Sequence, residues 1–369
     1  MPYPEDDDRS VDGPRDARKD LVARGERTPP DSAPGIPAGR TRAGGPWSES
    51  EQAAPLVLDT DIGGDPDDAI AVAAAARTVP GLALVLTNDE TGGDTAYGQR
   101  ARLARHLLDL LGRDDVPVVA GHGVGGTRYF CEGPLVPSEV PEQPRDVVSA
   151  VRGLLERSGG TVRWVGMGSL SNLARVLKEV PEARERLRVT QMGGALNYRD
   201  PSRAEHNFRM DTDAAHAVFE ELARGRLTDF QLVTSDVTFR PEIEVTRDSA
   251  LYGLFADGDG GWRGLLRHHL DLWFEAFHPG SIQHDALALT TALRMPHVSL
   301  SLRRVALDDL GRMSRSERGA EVWLSSSARY APFLRWLEGA LSRTEAETPP
   351  GPARPGENRS GWGSGVGPR

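Results

Sequence analysis

Residues 56–72 read LVLDTDIGGDPDDAIAV, and the fold follows from them. Leu56, Val57 and Leu58 are apolar and favour a short buried strand. Asp59, Thr60 and Asp61 come next, then a turn with Gly63 and Gly64, then Asp67 and Asp68. The Ala-rich run 69–76 predicts a helix. Five carboxylates therefore crowd positions 59–68 at a strand-to-helix switch. Such a cluster repels itself unless a cation sits among its members or some of them stay protonated. The stretch holds neither Cys nor His, and oxygen-only donors favour a hard cation such as Ca²⁺ or Mg²⁺. The carboxyl end of a strand is also where open α/β sheets place ligands. A plain helix cap needs a single Asp, and this loop exceeds that need.

Outward from this stretch, strand and helix patterns alternate. Strands are expected at 56–58, 82–87, 116–120, 162–166, 187–192 and 229–234. Helices are expected at 67–77, 95–111, 145–157, 171–179, 211–223, 261–277, 285–294 and 327–342. This alternation predicts an α/β fold with an open, mostly parallel sheet flanked by helices. Residues 1–52 and 344–369 are rich in Pro, Gly and charge and poor in aliphatic clusters, which predicts disordered tails around one domain at 53–343. A net charge of −10 argues against nucleic-acid binding through a basic face. The single cysteine, Cys131, allows no intramolecular disulfide and is read as structural. No apolar run approaches the ~20 residues that span a bilayer, and the N-terminus has no apolar signal core. The expected location is the cytoplasm, away from membranes.

The opening stretch resembles the signature DTDPGxDDA of the inosine–uridine-preferring nucleoside hydrolase family. Asp59, Thr60, Asp61, Gly63, Asp67, Asp68 and Ala69 match it, with two extra residues in the turn. Further stretches resemble the same family in the same order. They are GSLSNLA at 168–174, MGGA at 192–195, AEHNFRMDTDAAHAVF at 204–219 (similar to AEFNxxxDPEAAxxVF), and QHDALAL at 283–289.

The resemblance implies a Rossmann-like core and a Ca²⁺-dependent N-ribohydrolase that splits ribonucleosides into ribose and free base. It implies Asp61 as calcium ligand and general base, with Asp68, Asp285 and the main-chain carbonyl of Met167 as further ligands. Asp67, Glu205 and Asn207 match positions that hydrogen-bond ribose hydroxyls. His284 matches a histidine beside the departing base, where it would protonate or polarise it. A homo-oligomer, dimer or tetramer, is implied as well. The other histidines are read as structural. Asp211 and Asp213 are read as capping and charging the helix at 211–223, and Asn172 as a turn or cap residue. The aromatic run Trp273, Phe274 and Phe277 packs in the core or walls the base site.

The chain departs from the family pattern in three places. The enlarged first turn leaves Asp65 as an alternative to Asp67. The family's Gly-Asn after the second strand is replaced by TNDETGGD at 87–94, leaving Asn88, Asp89, Glu90 or none of them to fill the role. Asn197 is the stand-in for a second missing Gly-Asn. Two alternatives follow: a nucleoside- or ribose-binding protein of the same fold without turnover, and a haloacid-dehalogenase-like phosphohydrolase built on the DxD.

Overall fold

A computed structural model of the protein describes residues 41–43 as backbone, then 54–91, 97–127, 129–256 and 260–343. The first half contains β1 (Thr41–Ala43), β2 (Leu56–Thr60), α1 (Asp67–Thr78), β3 (Leu82–Asp89), α2 (Gln99–Leu110) and β4 (Val118–Gly123). There follow α3 (Glu132–Leu135), α4 (Val147–Ser158), β5 (Val162–Gly166), α5 (Ser171–Glu179), α6 (Ala183–Arg186) and β6 (Leu187–Met192). The second half begins with α7 (His206–Met210), α8 (Thr212–Ala223), β7 (Phe230–Val233), α9 (Ser235–Thr238) and β8 (Glu244–Val245). Then come α10 (Ala250–Ala256), α11 (Gly261–Ala276), β9 (Ser281–Ile282) and α12 (His284–Ala292). Strands β10 (Val298–Leu307), β11 (Met313–Arg315) and β12 (Ala320–Ala328) lead to the last helix, α13 (Tyr330–Ser342).

One ten-stranded sheet runs in the order β1-β10-β12-β7-β6-β5-β2-β3-β4, with β11 attached to β10. Strands β2 to β7 pair in parallel, as the alternating pattern predicts. From β2 the chain moves one way to β3 and β4, then returns to lay β5 on the other side. The sheet order thus reverses between β2 and β5, and a crevice opens outside the carboxyl ends of these two strands.

Both faces of the sheet are covered. Helices α1, α2, α11, α12 and α13 pack on one apolar cluster, and α4, α5 and α8 on the other. Helix α1 is buried from Asp67 to Arg77, and α12 from Asp285 to Ala292. Alanine dominates α1 because a helix enclosed on all sides leaves little room for longer side chains. Strands β10, β11 and β12 extend the sheet antiparallel to one another, while β12 joins β7 in parallel. The sequence reading assigned no strand to 298–326, and it began the last helix at 327, where β12 continues to Ala328. Within the expected N-terminal tail, Thr41–Ala43 pair with β10. The rest of that tail and residues 344–369 lie outside the described residues. Among the described residues no helix is long and apolar enough to cross a membrane.

Candidate active site

Strand β2 delivers Asp59, Thr60 and Asp61 to the crevice. Asp59 is buried, and its Oδ1 accepts from Asn172 Nδ2 at 2.8 Å and Asn88 Nδ2 at 3.1 Å. Asn172 is therefore not a cap, as the sequence had been read. Its side chain also donates to the Thr87 carbonyl and accepts from the His122 amide, so it joins three strands around Asp59. Thr60 Oγ1 donates to Asp68 and accepts from the Ile62 amide at 3.1 Å, which closes the loop onto α1. Gly63 holds φ 110° in that loop, a conformation that favours glycine, and a Cβ there would stand 3.1 Å from Glu132 Cβ.

Asp65 accepts from Ser281 Oγ, and the charges of Asp67 and Asp61, after burial, help to raise it well above the usual carboxylate range. Asp67, Asp68 and Asp285 converge, with their carboxylate oxygens within 4.8 Å of one another. Asp67 Oδ2 accepts from the backbone amides of His284 at 3.1 Å and Asp285 at 3.3 Å. These amides open α12 and have no partner within the helix, so an acceptor there satisfies them. The positive helix ends of α1 and α12 face the same acids. Asp61 hydrogen-bonds Asp68 and lies against Gly168, where a Cβ would stand 3.1 Å from Asp61 Cβ. Gly168 thereby admits Asp61 to the neighbourhood of the preceding residue, Met167.

The Met167 carbonyl accepts from Asn207 Nδ2 at 2.7 Å, and a carbonyl oxygen keeps a second lone pair for another partner. Glu205 caps α7: its Oε2 accepts from the amides of Asn207 at 3.1 Å and Gly194 at 2.9 Å. One carboxylate oxygen of Glu205 is thus engaged by the main chain. His284 Nδ1 lies 2.7 Å from Thr238 Oγ1, and its ring stacks on Phe239 with centroids 6.1 Å apart. Arg199 covers the Phe239 ring at 5.0 Å. Burial, with the Arg199 charge second, pushes His284 down to about 3, so its imidazole is neutral at pH 7.

The acids move the other way. Burial raises Asp59 to about 8. Burial first, then the Glu90 charge, raises Asp61 to about 7. Asp67 rises to about 6 through burial. Asp68 and Asp285 are lifted well above the usual carboxylate range by burial and by the acids around them. These groups sit together as charges only with a cation among them. The oxygen-only donor set of Asp67, Asp68 and Asp285 fits a hard ion.

Asp61, Glu90 and His206 form a second group with ligating atoms within 4.8 Å of one another. The sequence analysis does not single out His206 or Arg100 for the site. The signal of His206 lay inside AEHN, and that of Glu90 inside the altered stretch after the second strand. Arg100 of α2, 1% exposed, donates through Nη1 to the Asp61 carbonyl and through Nη2 to Tyr129 O at 3.1 Å. Nothing around position 100 in the sequence marks that role. Asn197 turns to Asp236 instead. Asp211 caps α8 as expected, accepting from the Ala214 amide at 2.9 Å. The aromatic run divides: Trp273 and Phe277 cluster with Tyr129 and His278, while Phe274 packs on Tyr252. Cys131 is buried, with its thiol pushed up to about 12 by burial.

Known proteins resemble this chain in sequence and in fold. The chain is 31% identical over 186 residues to the pyrimidine-specific ribonucleoside hydrolase RihA of Enterobacter sp. (strain 638), a match covering 46% of this chain and 57% of that protein. RihA of Shewanella woodyi is 29% identical over 184 residues, covering 45% and 56%. The chain thus spans little more than half the length of these curated relatives. Among solved structures, the purine-preferring ribonucleoside hydrolase of Gardnerella vaginalis superposes with a TM-score of 0.64 at 22% identity, covering 78% of this chain and 98% of that one. The inosine-uridine preferring nucleoside hydrolase of Bacillus anthracis gives 0.61 at 16%, covering 78% and 99%. At these identities the superpositions show the fold. The family model for inosine-uridine preferring nucleoside hydrolases matches residues 56–331. The chain belongs to the inosine-uridine preferring nucleoside hydrolase family.

Proposed function

We propose that this chain is a calcium-dependent nucleoside N-ribohydrolase that cleaves the N-glycosidic bond of ribonucleosides with water, giving ribose and a free base. The observation that carries the proposal is the convergence of the Asp67, Asp68 and Asp285 carboxylates at the reversal point of the sheet, with Asp61 beside Asp68. Asp68, Asp285, Asp61 and the Met167 carbonyl would hold the ion. Bound calcium supplies a Lewis acid that makes water more acidic and anchors vicinal hydroxyls of the sugar.

The protein's own groups perform the rest. Asp61, whose proton affinity is raised by burial and by Glu90, takes the proton from the attacking water. Asp67 and Asn207, fixed by α12 and by the Met167 and Met192 carbonyls, offer acceptors to ribose hydroxyls, with Glu205 beside them. Such groups discriminate against sugars lacking a hydroxyl, because they are then left without a partner. Positive charge develops on the sugar as the bond breaks, and the surrounding carboxylates stabilise it. His284 Nδ1 pairs with Thr238 Oγ1, and in the tautomer where Nδ1 accepts, Nε2–H is the group that would polarise the departing base.

The relatives' names point to both pyrimidine and purine nucleosides, so the test spans both. Nucleosides and their 2′-deoxy counterparts are screened for released sugar, with and without a chelator. Residues 53–343 acting as one domain, a dimer or tetramer, and a cytoplasmic location complete the proposal on the sequence resemblance and composition.

A further inference from the structure

Two departures from the family motifs meet beside Asp61. His206 stands where the resembled motif has Phe, and Glu90 lies in the stretch that replaces Gly-Asn. The residues are 116 positions apart, yet Glu90 Oε2 lies 3.0 Å from His206 Nε2. The Glu90 side chain is 2% exposed and that of His206 28% exposed. A buried carboxylate costs several kcal/mol unless it is paired, roughly as much as the pair can return. His206 supplies that partner, with the buried Arg100 guanidinium as a second counter-charge. Glu90 Oε1 is buried and has no hydrogen-bond partner among the described residues. The carboxylate is therefore held from one side, and Asp61 lies within 4.8 Å of it.

Asp61 itself is half-buried and meets three further groups. Gly168 lies against its Cβ, Arg100 holds its carbonyl, and Asp68 meets its carboxyl. We infer that Glu90 and His206 act as one positioning unit for Asp61. His206 pins Glu90, and the pinned Glu90 fills the space behind the Asp61 carboxyl and confines it to the side of Asp68 and Gly168. The inference rests on the reading of Asp61 as the proton acceptor under Proposed function.

The test compares Glu90→Ala, His206→Ala, the double variant, Glu90→Gln and His206→Gln on a nucleoside that the wild type cleaves. A misplacement of about 1 Å costs on the order of 10²-fold in rate. Each Ala variant should accordingly lower kcat by ~10–100-fold with KM within about threefold. The double variant should be no worse than the worse single, because residues acting as a unit are non-additive. The Gln variants keep the volume and a hydrogen bond, and should retain most of the rate. Losses that multiply in the double variant would overturn the inference. So would Gln variants as damaged as the Ala variants, or a raised KM at unchanged kcat. If Glu90→Ala does not fold, His206→Ala, at the more exposed residue, carries the comparison. A crystal structure of either Ala variant gives a readout independent of turnover: the Asp61 side chain should rotate toward the vacated space, and an unmoved Asp61 overturns the inference. A wild type that cleaves no nucleoside would remove the proposed function, while the Asp61 rotation would still decide the pairing.

Discussion

Asp67 Oδ2 accepts a hydrogen bond from the backbone amide of Asp285 at 3.3 Å, across 218 positions of sequence. The first motif of the chain is thereby fastened to its last, and the N-termini of the two most enclosed helices, α1 and α12, are locked side by side. Asp67 is both a wall of the acidic site and the tie that sets where Asp285 stands.

Asp67→Ala should therefore act on stability and on the site together. Hydrogen bonds to a charged group are worth about 1.5–3 kcal/mol, and two amides lose this acceptor. With calcium present, denaturant unfolding should show a loss on that scale, and KM for the nucleoside should rise. Unchanged stability would mean that water replaces Asp67 at the start of α12.

Asp61→Asn keeps an oxygen at the same place and removes the proton acceptor. It should lower kcat by at least ~10²-fold, the usual scale for a positioned base. Substrate should still bind. A near-wild-type rate would move the base elsewhere, with Asp65 the first alternative.

Calcium stabilisation should depend on pH with a defined sign. Unfolded, the acids ionise near 3.8, whereas folded they hold protons to about 6 at Asp67, about 7 at Asp61 and about 8 at Asp59. The folded metal-free protein binds more protons in that window, so this cluster's contribution is full below pH 4 and is lost as pH rises through 6 to 8. Calcium competes with those protons, and at a hundredfold excess over Kd stabilises by about 2.7 kcal/mol. The rise in Tm on adding calcium should therefore be larger at pH 8 than at pH 5. Thermal melts at the two pH values, with chelator and with calcium, read this directly, and a larger rise at pH 5 would refute it.

His284 should matter most when the base leaves poorly. An interaction that stabilises charge on the departing atom speeds only substrates that need it. His284→Ala should cripple cleavage of inosine and leave a nitrophenyl riboside nearly unaffected. Thr238→Val, which removes the hydroxyl paired with Nδ1, should show the same selectivity in weaker form. Equal losses on both substrates would make His284 a positioning group for ribose.

The parallel half of the sheet was legible because β2, β5 and β6 are short apolar runs next to helices with one buried face. Strands β10 and β12 were not, since a long antiparallel pair with changing exposure gives neither a continuous apolar run nor a strict alternation. Within the site, the acids around Asp61 and the QHDALAL stretch were readable because each sits in a dense local motif. Asn172, His206 and Arg100 were not, because the partner of each is brought close only by the fold. Asn172 meets Asp59 across 113 positions, and His206 meets Glu90 across 116. Single side chains at such separations look like an ordinary cap and an isolated ring.

The most direct test is sugar release from uridine, inosine and their 2′-deoxy counterparts by protein stripped of metal, then by the same protein after calcium is returned. The account predicts free ribose from at least one ribonucleoside, little or no release from its 2′-deoxy form, loss of release on stripping, and recovery with calcium. Full-rate release by metal-free protein, or no release from any nucleoside with calcium bound, would contradict it.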